Sequence, residues 1–580
     1  MSALLTSGCA TLEYSAFQAS IQPEGSSGYT QKAGAATTRY AIATANPLAT
    51  EAGYQILKSG GSALDAAIAV QMVLTLVEPQ SSGIGGGGFL LHWDGRQVEA
   101  YDGRETAPAE VDGALFIAPN GKPMAFYEAV VGGRAVGTPG IVKMLEMAHR
   151  EHGKLPWPKL FEPAIRLAES GFRVSPRLNA LLTRESHLTS DPVARQYFYD
   201  ADGKPWPVGH LLKNPALAAV LRRIGADGSA ALMTGEFARD IVAKVRMHPT
   251  NPGRLSERDL AAYQPKKREA FCTLWLSYRI CGFPPPSSGA IAVAQILGIL
   301  ENLPAAGPPL DDGMPSAEFL HRYTEASRLA FADRNRYLAD PDFVPAPGGN
   351  WMSMVDPAYL RQRAALIGAR SIKTAQPGTP GALKTAWASQ PEQIEHGTSH
   401  ISIIDAEGQS IALTTSIESA FGSRQMVHGF LLNNHLSDFS FMPADVAARP
   451  IANRVEAGKR PRSTMSPTLV FDRASGQLLL SVGSPGGALI AHFTAKTLLG
   501  TLAWGLNVQE AINLPNFGSI NGPTLLEAGR FPASTADALK GRGHEIREMP
   551  MVSGLQAIQR TPLSYFGGAD PRREGEVMGE

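Results

Sequence analysis

The sequence predicts a mixed α/β protein, with helices gathered in the first two thirds of the chain and a sheet-forming last third. Two observations carry this. Residues 140–340 run mostly in helical patterns, such as GIVKMLEMAHREHG and AEFLHRYTEASRLAFADRNRYL. After residue 398 the period becomes two: SHISIIDAEGQSIALTTS alternates about a Gly-containing turn, and STMSPTLVFDRASGQLLLSVGSPGG repeats that form. A helix-rich part followed by a sheet-rich part fits an α+β or a layered α/β/β/α arrangement.

Residues 10–38 are rich in Ser, Gly, Gln and Ala and read as a tail, with order beginning at RYAIATANPLATEAG. ATEAGYQILKSGG predicts a helix with Ile56 and Leu57 on one side, ended by Gly60-Gly61. SALDAAIAVQMVLTLV comes next, with Ser62 as N-cap and an almost wholly apolar body, the pattern of a buried helix. In SSGIGGGGFLLHWDG, Gly83, Gly85 and Gly88 match GxGxxG. A helix precedes them and the strand FLLHW comes after, the reverse of a dinucleotide-binding turn, so close backbone packing near a site is the better reading. FCTLWLSYRICGF is a hairpin candidate. A two-residue turn at Leu276-Ser277 sets Cys272 opposite Cys281, either as a disulfide in an oxidising compartment or as two buried thiols. Residues 341–395, rich in Pro, Gly, Ala and Gln, read as a long irregular approach to the strands of the last third.

Bulk properties narrow the function. With 580 residues, 44% of them hydrophobic, the chain can bury a large core. Its 53 Lys and Arg balance 53 Asp and Glu, and without basic runs it is a poor nucleic-acid ligand. No run of 18 apolar residues is present to span a membrane. Neither a CxxC pair nor a Cys/His cluster signals zinc, and no metal-binding residue is assigned. Cys9, in MSALLTSGCATL, comes after small residues and a short apolar run, as at the end of a bacterial lipoprotein signal; a chance cysteine in the tail is the other reading. The expected partner is a small molecule.

The stretch EHGTSH places Gly397 and Thr398 directly before a strand. Either the glycine simply ends a loop, or the bond is cut and Thr398 becomes an N-terminus. A threonine hydroxyl needs a base beside it. At a chain start the α-amine, with a pKa of about 7.7–8.0, is that base. Gly486 and Gly487 come after the strand QLLLSV and could aim N–H groups at an oxyanion, or form an ordinary turn. Arg104 in YDGRETAP offers a fork for a carboxylate, Ser463 and Thr464 offer adjacent hydroxyls, and Asp438 stands after an Asn pair in LLNNHLSDFS. Taken singly, each is ambiguous.

Together, in order, ILKSGGSALDAAIAV, GIGGGGF, YDGRETAPA, PPPSSGAI, ADRNRYLADPDF, TSHISIIDAEG, AFGS, LLNNHLSDFS, KRPRSTMSPTLV, GSPGG and GGADPR resemble the γ-glutamyltransferase family of N-terminal nucleophile hydrolases, from about residue 40 onward. The resemblance implies a four-layer αββα sandwich built jointly by a large subunit, 39–397, and a small one, 398–580, after a signal remnant or tail at 1–38. It implies γ-glutamyl transfer or hydrolysis on glutathione and related amides, with water or an amino acceptor. It implies no metal or organic cofactor in catalysis, and a periplasmic or exported protein that a lipid at Cys9 could anchor. Residue by residue, Thr398 falls on the nucleophile, Ser416 on a supporting hydroxyl, and Gly486 and Gly487 on the oxyanion pair. Arg104, Ser463 and Thr464 fall on the grip for the substrate α-carboxylate, and Asp438 on an acid that holds the α-ammonium. Three features depart from the family. Glu418 stands where Asn is usual and His435 where Gln or Glu is usual. The span from Asp438 to Ser463, a lid in the family, is short and lacks Tyr. Glu418 could restore the negative charge that His435 lacks, or pair with Arg424. Two alternatives stand beside this reading: a glutaryl or cephalosporin-type acylase with the same machinery, and an uncleaved, inactive binding protein.

Overall fold

The computed structural model describes residues 28–391 and 397–580. Cys9 therefore lies outside the described residues, as do Glu395 and His396 of the EHGTSH stretch. Two seven-stranded sheets organise the chain. Sheet I runs Glu576–Gly579, Ala41–Thr44, Ser399–Ile404, Ser410–Ser416, Gly87–Trp93, Val98–Asp102 and Lys266–Glu269 in spatial order. Sheet II runs Ala35–Thr37, Tyr565–Ala569, Gln556–Arg560, Leu478–Gly483, Thr468–Asp472, Tyr278–Gly282 and Phe271–Trp275. Neighbouring strands in both are antiparallel.

Alternation along the strands makes the layers. Phe89, Leu91 and Ala412 of sheet I meet Leu469, Phe471 and Ile558 of sheet II in the interior between them. Leu90, Ile401, Ile403, Ile411 and Leu413 turn the other way, into a helix layer that includes Ala63–Val77 and Ile141–His152. Val470, Leu480 and Val482 leave the opposite face of sheet II and pack on Gly289–Glu301, Ala317–Tyr337 and Ile490–Leu502. The result is the expected αββα sandwich. Helix Ala63–Val77 is buried along its whole length, and Ser62 caps it in a reciprocal box with Asp65.

The tail reading of residues 10–38 is corrected at its end: Ala35–Thr37 is an edge strand of sheet II, paired with Tyr565–Ala569. Three small residues whose partner lies at the other end of the chain leave no local alternation to read. The helix-rich part also supplies half of the strands in the two sheets. The hairpin forms as its sequence suggests. Cys272 lies opposite Cys281 with Cα atoms 4.0 Å apart, and the two are joined in a disulfide. Leu276 in its turn has φ 52°, the left-handed backbone that tight hairpin turns require.

Candidate active site

Thr398 stands one residue before the strand Ser399–Ile404. In that hairpin Ser399 pairs with Thr415 and His400 with Thr414, so one more step sets Thr398 against Ser416. Alternation turns both toward sheet II, the side on which His400 Nδ1 meets Thr414 Oγ1 at 2.8 Å. The Ser416 hydroxyl donates to the Gly397 carbonyl at 2.7 Å and accepts from the Glu418 N–H at 2.7 Å. The Thr398 hydroxyl donates to the same carbonyl at 2.5 Å. Two hydroxyls thus polarise the one carbonyl that an attack by Thr398 would use. The glycine run makes room for this: a Cβ on Gly86 would lie 2.1 Å from the Ser416 carbonyl oxygen.

Gly486 and Gly487 come after the strand Leu478–Gly483, with φ of 134° and 56°. A side chain at Gly486 would also meet the Phe493 ring at 2.4 Å. The turn uses their carbonyls, which accept from the N–H groups of Leu489 and Ile490.

Arg104 is fully buried just beyond the strand Val98–Asp102. Its Nε donates to the Pro461 carbonyl at 3.1 Å, and its Nη2 to the Arg462 carbonyl at 3.2 Å and to the carboxylate of Asp438. Its Nη1 lies 3.7 Å from the Glu105 carboxylate. Asp438 ends the short turn His435–Asp438. The Asn453 side chain donates to the Asp438 carbonyl at 2.7 Å and accepts from the Arg462 N–H at 2.9 Å, tying the two ends of the 438–463 span together. The Ser463 carbonyl accepts from both the N–H and the hydroxyl of Ser288, in the PPPSSG stretch, at 2.7 Å each. Thr464 Oγ1 accepts from Arg334 at 2.5 Å.

The two unusual positions have distinct surroundings. Glu418, at φ 78°, accepts from Asn434 Nδ2 at 3.0 Å. Arg424 forms its ion pair with Glu185 at 3.1 Å. His435 Nδ1 stands 2.8 Å from Oε1 of Glu105, a fully buried residue that sequence reasoning passed over. Burial pushes the Glu105 carboxyl up to about 8, with Arg104 pulling the other way. Burial, then Arg104, pushes the His435 imidazole well below its ordinary range. Near neutral pH an un-ionised acid therefore faces an uncharged ring. The signal available for Glu105 was its place beside Arg104 in YDGRETAP.

Arg104, Thr398, Ser416, Glu418, His435, Asp438, Ser463, Thr464 and Gly487 line one narrow cleft. Of the ten catalytic and substrate-binding candidates from the sequence, Gly486 alone is not on its wall.

A family model described as gamma-glutamyltranspeptidase matches residues 49–580. The glutathione hydrolase proenzyme of Bacillus subtilis (strain 168) is 33% identical over 552 residues, covering 93% of this chain and 91% of the relative. That of Escherichia coli (strain K12) is 33% identical over 541 residues, covering 92% and 90%. Among solved structures, cephalosporin acylase from Bacillus halodurans superposes with a TM-score of 0.82 at 26% identity, covering 97% of this chain and 99% of the other.

Proposed function

Because the chain belongs to the gamma-glutamyltranspeptidase family, we propose that it is a self-processing threonine hydrolase that cleaves γ-glutamyl amides, glutathione among them, through an ester on Thr398. The observation that carries this is the shared cleft: nucleophile, supporting hydroxyl, buried arginine and two acids open on one space.

Processing comes first. Thr398 Oγ1 attacks the Gly397 carbonyl carbon, its proton passes to the departing Thr398 nitrogen, and the C–N bond gives way to an ester. Water then leaves a Gly397 carboxylate and a free α-amine on Thr398. That amine, half neutral near pH 8, becomes the base for turnover. It takes the hydroxyl proton as Oγ1 attacks the substrate's γ-carbonyl. The N–H of Gly487, on the cleft wall, takes the developing oxyanion, joined by that of Gly486 if the turn shifts toward the cleft. The proton returns to the leaving amine, and water or an amino acceptor releases the γ-glutamyl group. Arg104 Nη1 and the hydroxyls of Ser463 and Thr464 hold the substrate α-carboxylate, while Asp438 and Glu418 hold its ammonium. The fragments 1–397 and 398–580 stay together, since each sheet draws strands from both. The Cys272–Cys281 disulfide favours an oxidising, periplasmic or exported setting, where a lipid at Cys9 would anchor the chain. Among the described residues no helix is long and apolar enough to cross a membrane.

A second reading, glutaryl-type acylase, is favoured by the likeness to cephalosporin acylase. Two acids facing a substrate without an ammonium would be electrostatically costly, which favours the amino-bearing head. Assay of the processed protein with γ-glutamyl and glutaryl anilides tests this. Faster turnover of the γ-glutamyl compound is expected; faster turnover of the glutaryl one replaces this reading with the acylase.

A further inference from the structure

A group of side chains further along sheet I takes no part in the chemistry above. His92, near the end of strand Gly87–Trp93, lies directly opposite Glu99 on strand Val98–Asp102. Both face the helix layer, as Leu90 and Tyr101 do. There helix Ile141–His152 ends, bringing its last ring to 4.1 Å from that of His92, centroid to centroid. His152 Nε2 is 2.5 Å from Glu99 Oε2, and the ligand atoms of all three residues lie within 4.8 Å of one another.

His92 is wholly buried, and neither ring nitrogen makes a hydrogen bond of normal geometry, the Gln409 side chain being the polar neighbour that interacts with the ring. A buried imidazole in that condition calls for an explanation, and an ion is one. We propose that His92, Glu99 and His152 form a binding site for a divalent transition metal of the zinc class. Two imidazole nitrogens and one carboxylate oxygen are zinc's ligands, whereas calcium and magnesium take oxygen. Oε2 of Glu99 faces His152 and accepts from the Tyr101 hydroxyl at 2.8 Å, and that hydroxyl also lies 2.9 Å from His152 Nε2, so a metal would take the place of the Tyr101 contact. Oε1 holds Lys267 Nζ at 2.7 Å and accepts from Gln97 at 3.1 Å, outer partners that fix the carboxylate's orientation. Metal bonds of about 2.0–2.1 Å put tetrahedral ligands roughly 3.3 Å apart. The His152–Glu99 contact must therefore open by less than about 1 Å. His152 is the last residue of its helix with a partly exposed side chain, so its ring can shift once the Tyr101 contact is given up. Glu151, on the surface side and 3.8 Å from His152 Nε2, is held by Lys267 Nζ at 2.6 Å and by the Tyr101 hydroxyl at 3.1 Å; water is the simpler fourth ligand.

The site is remote from the nucleophile. His92 pairs with Ile411, five residues along the strand from Ser416, on the order of 17 Å at ~3.4 Å per residue, and it points to the other face of the sheet. Its metal would staple helix to sheet and leave acyl transfer alone. The other histidine grouping among the described residues, His321, Glu325 and His544, is already closed. His321 bonds His544 and the Gly368 carbonyl at 2.8 Å each, and Glu325 pairs with Arg328.

The test uses untagged, full-length, chelator-treated protein equilibrated with Zn²⁺, with bound metal counted and Co²⁺ spectra recorded in parallel. One ion per chain is expected, with the visible bands of four-coordinate Co²⁺. H92N and H152Q should each lose it, and E99Q should weaken binding at least tenfold. His152 ends a surface helix, so H152Q is informative even where H92N fails to fold. Wild-type protein holding no more metal than the buffer control, or metal content unchanged in H152Q, overturns the proposal. Unchanged hydrolysis of γ-glutamyl anilide with and without Zn²⁺ is the second expectation; a rate that requires Zn²⁺ contradicts the structural role.

Discussion

At Glu105 a carboxyl group pushed up to about 8 stands 2.8 Å from the ring of His435. Its ionisation is linked to folding. The folded carboxyl holds its proton where the unfolded one, near 4.5, has lost it, so its contribution is full below pH 4.5 and drains away as pH rises through 8. Glu78, buried and likewise pushed up to about 8, acts in the same direction. Thermal melts from pH 5 to 8.5 should fall with pH, and E105Q should flatten that fall by a few kcal/mol at most. An unchanged slope in E105Q would show that Glu105 ionises normally. Ionised Glu105 would also compete for Arg104 Nη1, so KM for γ-glutamyl donors should climb above pH 8 in the wild type and climb less in E105Q. Glu418 lines the same pocket. Its carboxylate sits on Asn434, and Arg424 is engaged by Glu185. E418Q should raise KM for γ-glutamyl donors about tenfold, a fraction of what breaking a fully buried ion pair costs, and should barely change it for glutaryl ones. Equal effects on both would remove Glu418 from ammonium recognition.

Elements with strong local patterns were legible. Ser62 and its apolar run, the alternation either side of the turn at 405–409, and the hairpin around Leu276 all appear where the sequence puts them, because cap, period and turn chemistry are local. Ala35–Thr37 was not, since its only support is a strand more than five hundred residues away. Nor was the His92, Glu99 and His152 grouping, because a strand pair and a helix end assemble it and no short spacing records it. In the cleft, the residues around Thr398 were found through a resemblance rather than a pattern. Glu105 escaped because its place beside Arg104 in YDGRETAP, the one signal available, says nothing of burial. The hairpin carries its own prediction. Peptide mapping of unreduced, alkylated protein should recover the 271–283 stretch with Cys272 and Cys281 unmodified. Replacing both by Ser should cost at most about 2–3 kcal/mol, since the bridge closes only a short loop. Alkylated cysteines in the unreduced sample would show free thiols instead.

Over the whole molecule, the bond between Gly397 and Thr398 lies in the middle of a continuous architecture. Strands from before and after it interleave in both sheets, so the uncut chain can complete its fold, and a cut at this bond would leave the core intact. The fold positions Thr398 against Ser416 in the uncut chain, where, on the proposed function, Thr398 still lacks the amine that would serve turnover. This ordering, fold first and base second, is the central claim. Denaturing electrophoresis of the purified protein, followed by N-terminal sequencing of the smaller band, measures it most directly. Two fragments are predicted, the smaller beginning Thr398-Ser399-His400, with T398A remaining a single inactive chain. A wild-type protein that stays intact yet turns over substrate, or a small fragment that begins at any other residue, would contradict it.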